Sequence, residues 1–212
     1  MTPAVSWPIE PAMIAPFLAA MVLVELTPGP NMVWLAALTM AQGRTAGLRA
    51  VAGVTLGLTI YMCAAVVGLA GAIAAAPGVY DVLRVAGVVY LLWLAYDAWR
   101  QADAEDVAAG ATPFVRGLVA NILNPKAALF YVTLLPGFID PARASFQSQA
   151  LVFGGAHIAI SVAIHALIVF AAAHVALLLG EGGDRTRAHR LRRIAAVGIA
   201  LVAIWLWWET RR

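Results

Sequence analysis

The amino-acid sequence predicts an all-α membrane protein in which six transmembrane helices form two inverted three-helix repeats, and proline breaks the first and fourth helices. Three observations predict this fold. The chain is 63% hydrophobic and 12% charged, with a mean hydropathy of +0.86, whereas a soluble domain keeps about a quarter of its residues charged. Several apolar stretches exceed the ~20 residues that cross a bilayer. Prolines interrupt two of these stretches at matching places.

The six spans are predicted at residues 12–41, 46–75, 79–99, 114–138, 147–179 and 191–208. Residues 50–80 and 144–180 contain no Asp, Glu, Lys or Arg. The third span has the weakest hydropathy, because Asp81, Arg84 and Asp97 flank a short apolar middle. Since long charged side chains near helix ends reach the membrane interface, we retain it as a span.

We therefore expect one integral membrane domain over residues 1–212. Its first repeat covers about 12–99, a cytoplasmic linker about 100–113, and the second repeat about 114–208. Each half holds three spans. Because three is odd, the first half ends on the opposite side of the membrane from where it began. The second half therefore has the inverted orientation, as in an inverted-topology repeat.

Arginines indicate the orientation of the chain in the membrane. The loops after the first, third and fifth spans contain nine of them, and the opposite side contains four. The nine are Arg44, Arg49, Arg100, Arg116, Arg185, Arg187, Arg190, Arg192 and Arg193. Because Lys and Arg collect in cytoplasmic loops, we expect these loops in the cytoplasm and both termini outside it.

Small residues recur along the second span at intervals of three, four or seven. They are Ala46, Ala50, Gly53, Gly57, Ala64, Gly68 and Gly71. Such a stripe lets two helix backbones approach closely. It indicates either packing within one protomer or the seam of a homodimer.

The two proline breaks have similar local sequences. The first is Thr27-Pro28-Gly29-Pro30-Asn31, and the second is the segment from Asn121 to Lys126, which contains Asn124-Pro125-Lys126. Proline removes a backbone donor and disturbs a helix that runs through it. Thr27 and Asn124 precede proline and are good N-cap residues, and proline is favoured at the first helical position. Each break therefore predicts a helix that stops, is capped and restarts.

The breaks and the charges beside them predict a substrate-binding site formed by Glu25, Thr27, Pro28, Gly29, Pro30, Asn31, Asn121, Asn124, Pro125 and Lys126. Irregular backbone at membrane depth is tolerated where it is buried in protein or lines a cavity. Restarted helices present amides and a positive dipole end to anions. Two alternatives remain: unrelated proline kinks, and a Glu25–Lys126 ion pair that only stabilises the fold.

Three histidines, His157, His165 and His174, mark the fifth span. The first two fall near one helix face and, with Glu25, are candidates for a proton relay. Polar packing between helices is the alternative. We expect no metal site, since no compact ligand cluster appears, and no disulfide, since Cys63 is the only cysteine. The net charge of +3 lies in short loops and predicts no nucleic-acid partner.

The Thr27-Pro28-Gly29-Pro30 break and the segment from Gly117 to Lys126 together resemble the lysine-exporter (LysE/RhtB) family of amino-acid efflux proteins. The segment from Arg84 to Leu94 is similar to the third helix of that family. Phe130 and Leu135-Pro136-Gly137-Phe138 are similar to the tail of its fourth helix. The resemblance runs from about residue 15 to the C-terminus, and its signature residues are Pro28, Gly29, Pro30, Asn124, Pro125 and Lys126.

The chain departs from the family pattern at a few positions. Arg84 stands where the family usually has lysine, and Ala95 stands where glycine is common. His157 and His165 lie outside the pattern, so the resemblance gives them no role.

The resemblance implies a small multi-pass exporter of amino acids or related zwitterionic metabolites in a bacterial inner membrane, driven by the proton gradient. We expect a secondary transporter without catalytic residues or a cofactor, working by alternating access. Its breaks and Lys126 would hold the substrate carboxylate, and Glu25 would take the ammonium group or the coupled proton. The alternatives are a membrane metal or haem redox protein using the fifth-span histidines, and an inorganic cation exporter. The sequence does not select the amino acid.

Overall fold

The computed structural model describes residues 7–27, 29–68, 77–102, 112–180 and 185–209, and every regular element in these ranges is a helix. The α-helices are α1 (Pro11–Leu26), α2 (Pro30–Gln42), α3 (Arg44–Val66), α4 (Pro77–Ala102), α5 (Pro113–Ile122), α6 (Pro125–Leu129), α7 (Phe146–Gly180) and α8 (Arg185–Glu209). A π-helical turn, Phe130–Leu134, and a 3₁₀ turn, Leu135–Phe138, continue directly from α6.

Two of these helices, α3 and α7, are long and apolar enough to cross a membrane by themselves. The pair α1–α2 is bent by 55°, and α5 is bent by 50° from the helix that begins at Pro125; each pair passes the same test when it is counted as one span. The apolar stretches within α4 and α8, Val85–Asp97 and Ala196–Trp205, are shorter. An all-helical chain with several apolar helices agrees with the predicted membrane protein, and the count of six spans stays a prediction.

The second predicted span ends earlier as a helix than expected. α3 stops at Val66 rather than continuing to residue 75, and residues 69–76 lie outside the described part of the chain. Gly68 has a φ of 86°, and a left-handed glycine just past the last turn ends a helix.

The first break does not have the predicted cap. Thr27 closes α1, because its amide and its hydroxyl both donate to the Leu23 carbonyl, at 3.0 and 2.8 Å. The N-cap of α2 is Gly29, and Pro30 is its first helical residue. The prediction of Thr27 as an N-cap was therefore wrong: a threonine hydroxyl also bonds the carbonyl four residues back, and here that bond forms instead. Residue 28 lies outside the described ranges.

The second break agrees with the sequence. Leu123 ends α5, and the Asn124 side chain accepts a hydrogen bond of 3.0 Å from the Lys126 amide, with Pro125 as the first residue of α6. The helix then widens into the π-helical turn that carries Phe130 and Tyr131. Both side chains are buried, and such turns redirect side chains within otherwise regular helices.

The small-residue stripe of α3 packs within the chain against α5. A Cβ atom built on Gly53 would lie 2.0 Å from the Phe114 carbonyl oxygen, and one built on Gly117 would lie 2.2 Å from that of Ala50. The two backbones are therefore in direct contact, as small residues permit. Packing within one protomer is confirmed for this part of the stripe, and the homodimer stays a prediction.

Two hydrophobic clusters divide the interior. One joins α2, the start of α3, α4, the end of α7 and α8; the other joins α1, the rest of α3, the π-helical turn and the start of α7. Along one face of α7, Phe153 belongs to the second cluster and Val169 to the first. His157, Ser161 and His165 occupy the turns between them, so a polar layer separates two apolar ones.

Candidate binding site between the helix breaks

The polar layer surrounds a cavity of about 30 Å³ where the two breaks meet. That is enough for one or two water molecules. Its polar lining comprises Glu25, Asn31, Asn121, Asn124, Lys126, His157, Ser161 and His165, and its apolar lining comprises Val24, Met32, Leu58, Ala127 and Phe130. Gly29 completes the wall. Side chains of the first two helices therefore converge here with side chains of α3, α5, α6 and α7.

Lys126 connects the two breaks. Its Nζ atom donates a 3.0 Å hydrogen bond to the Thr27 carbonyl oxygen, at the end of α1. A lysine in the first turn of α6 opposes the dipole of its own helix. Here the ammonium group instead lies at the carbonyl end of α1, where the helix dipole and the unpaired carbonyls favour a cation.

Glu25 is held by side chains of α7. Its Oε1 lies 3.0 Å from His157 Nε2, and its Oε2 accepts a hydrogen bond of 3.3 Å from the Ser161 hydroxyl. His165 Nδ1 lies 3.9 Å from Oε2. The carboxylate is thus surrounded by imidazoles and a hydroxyl in an otherwise apolar interior, which offsets the cost of burying its charge.

His157 and His165 extend this network on either side. His157 Nδ1 lies 3.3 Å from the Tyr131 hydroxyl, and the Phe130 ring packs on the imidazole with centroids 3.9 Å apart. His165 Nδ1 lies 2.8 Å from the Ser161 carbonyl oxygen and 3.1 Å from its hydroxyl. A continuous hydrogen-bonded chain therefore runs from Tyr131 to His165 through Glu25.

The predicted alternative of a Glu25–Lys126 ion pair was wrong. Both side chains are described, and no direct ion pair joins them: Glu25 pairs with His157, and Lys126 bonds to a backbone carbonyl. The pairing differs because α7 packs against α1 more closely than α6 does, and it brings three polar groups to the carboxylate.

Two asparagines in the wall have unmatched amide groups. Asn31, on the first turn of α2, is 5% exposed, and Asn121, on α5, is 2% exposed. The side-chain oxygen of each is buried and accepts no hydrogen bond within the described part of the chain. Buried polar atoms are nearly always paired in folded proteins, so these two are unusual.

Most of the sequence-predicted site residues meet at this cavity. Thr27 contributes only its carbonyl, Pro125 is buried just outside the lining, Pro28 lies outside the described residues, and the side chain of Pro30 is likewise not described. Among the residues that the sequence did not indicate are Tyr131, Phe130 and Ser161. Ser161 had a usable signal, since it lies four residues from each of two histidines.

The third histidine belongs elsewhere. His174 is exposed and lines a separate groove of about 480 Å³ with Arg44 and Phe170. In the described ranges, no group of three or more His, Cys, Asp or Glu side chains has the arrangement of a metal site. His157 and His165 are instead bonded to Glu25 and Ser161.

A charged cavity between two interrupted apolar helices is the architecture of a membrane transporter. The comparison with known families gives the particular one: the chain belongs to the LysE type translocator family, whose family model matches residues 22–209. The resemblance noted in the sequence is therefore confirmed, and translocators of this family are transporters, not enzymes.

Relatives with named activities are similar over part of their length. The leucine efflux protein of Klebsiella pneumoniae is 35% identical over 131 residues, 58% of this chain and 62% of that protein. The leucine efflux protein of an Enterobacter species is 30% identical over 159 residues, 72% of this chain and 75% of that protein. The homoserine/homoserine lactone efflux protein of Salmonella typhimurium is 29% identical over 144 residues, 65% of this chain and 69% of that protein. The match with the first spans less than two thirds of its length, and no solved structure matches the chain.

Proposed function

We propose that this protein exports amino acids across a bacterial inner membrane by alternating access, with the cavity between the breaks as the substrate site and the proton gradient as the driving force. The observation that carries the proposal is the hydrogen bond from Lys126 Nζ to the Thr27 carbonyl oxygen, which joins the two breaks at a half-buried cation. A substrate carboxylate that attracts this ammonium group weakens the bond between the breaks. Binding and helix movement are thereby linked.

The packing of the helices supports two inverted halves. α3, the second span of the first half, packs along α5 in the first span of the second half, and α7 packs correspondingly against α1 and α2. The third spans, α4 and α8, pack on each other, as do the second spans, α3 and α7. A two-fold axis in the membrane plane would pair the elements in this way. In the proposed orientation both termini lie outside the cytoplasm.

Alternating access is supported by the small size of the site. The cavity has room for one or two water molecules but not for an amino acid. The walls must therefore separate during transport. Ion pairs join the two halves on both sides of it: Glu10 with Arg143, and Asp97 with Arg116 at 2.7 Å. In the predicted topology the first pair is external and the second cytoplasmic, so each could open while the other stays closed.

The lining favours a neutral amino acid with an aliphatic side chain. Val24, Met32, Leu58 and Ala127 offer apolar contacts, and the lining carboxylate, Glu25, is engaged by α7. A cationic side chain would find no carboxylate among the described lining groups that α7 does not already engage. The relatives named leucine efflux proteins agree with this class, and we take leucine as the first substrate to test.

Proton coupling is assigned to Glu25 with His157 and His165. Imidazole exchanges protons near neutral pH, and the two rings flank a carboxylate that lines the substrate cavity. The other polar groups that face this cluster are the Ser161 and Tyr131 hydroxyls and the Lys126 ammonium group. A proton that reaches this cluster from the external side changes the charge next to the substrate. The inward movement of the proton is thereby coupled to the export of the amino acid.

The proposal is tested by counterflow of a labelled amino-acid panel in proteoliposomes of the purified full chain, with and without a pH gradient. We expect exchange of leucine, little or no exchange of lysine, and faster net efflux when the trans side is acidic. Protein-free liposomes give the background. Failure of every amino acid to exchange would overturn the proposed function.

A further inference from the structure

Two side chains in the wall of the cavity, Asn31 and Asn121, have acceptors that are unpaired among the described residues. Both side-chain oxygens are buried and unpaired, and both residues line the same cavity as Lys126. Rotating either amide by half a turn would exchange its oxygen and nitrogen, but in either orientation each residue offers one acceptor. The two amide oxygens can accept hydrogen bonds from the ammonium group of a zwitterion, and the Lys126 cation can bind its carboxylate.

The neighbouring donors are already engaged. Lys126 Nζ donates to the Thr27 carbonyl, Ser161 donates to Glu25, and His157 lies between Glu25 and Tyr131. An ammonium group supplies three N–H donors, so a bound amino acid would pair both amide oxygens at once. A molecule without the amino group would leave both amide oxygens without a hydrogen bond. In a buried site, this cost of unpaired polar groups discriminates more strongly than a difference in apolar contact does.

Glu25 is poorly placed to take the ammonium group. One of its oxygens lies against His157, and the other accepts from Ser161 with His165 beyond. Binding an amine there would require α7 to give up these contacts. Within the described chain, the two amide oxygens have no hydrogen bonds to give up when the walls separate.

Asn121 also has space reserved for it. A Cβ atom built on Gly57 of α3 would lie 2.7 Å from Asn121 Oδ1 and 2.9 Å from its Cβ. Only a residue without a side chain leaves the amide where it is. Gly57 thus positions the polar group that Asn121 presents.

We propose that the amide oxygens of Asn31 and Asn121 recognise the ammonium group of the transported amino acid, while Lys126 binds its carboxylate and Glu25 stays out of substrate recognition. The inference rests on the proposed function and makes the protein selective for α-amino acids over the corresponding deaminated acids. It changes the expected role of Glu25 from substrate partner to coupling residue alone.

The test compares two competitors of labelled leucine: 4-methylpentanoate, which lacks the amino group, and leucinamide, which lacks the carboxylate. Wild type should reject both by about 100-fold or more relative to leucine. Asn31→Leu and Asn121→Leu keep the size of the side chain and remove the acceptor. We expect each to weaken leucine binding at least about tenfold and to reduce discrimination against 4-methylpentanoate by a similar factor. Discrimination against leucinamide should persist, because Lys126 is unchanged.

Binding is measured by thermal stabilisation of the purified full chain as well as by counterflow. A variant that no longer transports therefore still gives a measurement of binding. Asn31→Asp and Asn121→Asp, which keep shape and acceptors, serve where a leucine variant does not fold, and they should retain selectivity for the amine. The inference would be overturned if the folded Asn31→Leu and Asn121→Leu variants discriminated against 4-methylpentanoate as well as wild type does. It would also be overturned if Glu25→Gln lost this discrimination. If wild type exchanges no amino acid, the proposed function itself fails, which is a distinguishable result.

Discussion

At the scale of single residues, the buried charge of Glu25 and the half-buried charge of Lys126 are tolerated for different reasons. Lys126 gains from the carbonyl end of α1, which the first break leaves open. Glu25 gains from polar groups of α7, a helix that is otherwise strongly apolar. Because the two charges have separate hydrogen-bond partners, the proposed substrate and proton sites use different residues.

This separation predicts the behaviour of Glu25→Gln. The amide keeps the shape of the side chain but cannot accept a coupled proton, so net efflux should lose its response to a pH gradient. Leucine counterflow without a gradient should remain within a few-fold of wild type. The measurement is efflux from loaded proteoliposomes at matched and unmatched pH.

The matched control is Asp140→Asn, the same carboxylate-to-amide change at a partly exposed residue outside the cavity, whose Oδ1 accepts a 2.9 Å hydrogen bond from the Ala142 amide. It should keep the response to the pH gradient. An intact response in Glu25→Gln would remove Glu25 from the coupling mechanism.

At the scale of elements, the contact of α3 with α5 fixes the position of the second break. Gly53 and Gly117 each lie against a backbone carbonyl of the other helix, and Gly57 lies against Asn121. Tyr61 adds a 2.6 Å hydrogen bond from its hydroxyl to the Ile122 carbonyl, which the end of α5 leaves open. Helix α3 therefore holds the irregular backbone of the second break in place.

The close approach predicts that Gly53→Ala destabilises the protein. The new methyl group would lie 2.0 Å from the Phe114 carbonyl oxygen, and backbone cannot move aside as a flexible side chain does. We expect a loss of about 1–3 kcal/mol or more in stability, measured as a lower thermal unfolding temperature in detergent.

Gly155→Ala on α7 is the control, because a Cβ atom there meets nothing within 4 Å. Alanine is the better helix former, so this variant should be as stable as wild type or slightly more stable. Equal stability of Gly53→Ala and Gly155→Ala would contradict the described packing.

The breaks themselves could be predicted from the sequence, and their partners could not. Proline acts on its own backbone, so a helix restart at each break follows from the sequence, although α2 begins at Pro30 rather than directly after Thr27 as predicted. Thr27 has two competing local hydrogen bonds, and sequence alone did not show that it caps the preceding helix. The contact of Glu25 with His157 joins residues 132 positions apart and depends on how α7 docks, which no local pattern determines.

At the scale of the whole molecule, the polar layer lies between two apolar clusters, and the ion pairs Glu10–Arg143 and Asp97–Arg116 connect the halves away from it. A transporter needs such a layered arrangement, since substrate must meet polar groups at mid-depth while both ends can close. The cavity of about 30 Å³ is too small for an amino acid, so the proposed transport requires its walls to separate.

The inverted arrangement predicts which loops face outward. In a Cys63→Ala background, a cysteine at Ala142 should react with a membrane-impermeant maleimide in intact cells. A cysteine at Thr45 should react only after permeabilisation. Both positions are exposed in the structure, so labelling of both from the same side would contradict the proposed topology.

The central claim is that the cation joining the two breaks binds the exported amino acid, and Lys126→Ala tests it most directly. Leucine counterflow by this variant should fall by about 100-fold or more, because the carboxylate loses its charged partner in a buried site. Leu129→Ala, an exposed change on the same short helix, should exchange leucine at the wild-type rate. A folded Lys126→Ala protein that exchanges leucine as fast as Leu129→Ala would contradict the account.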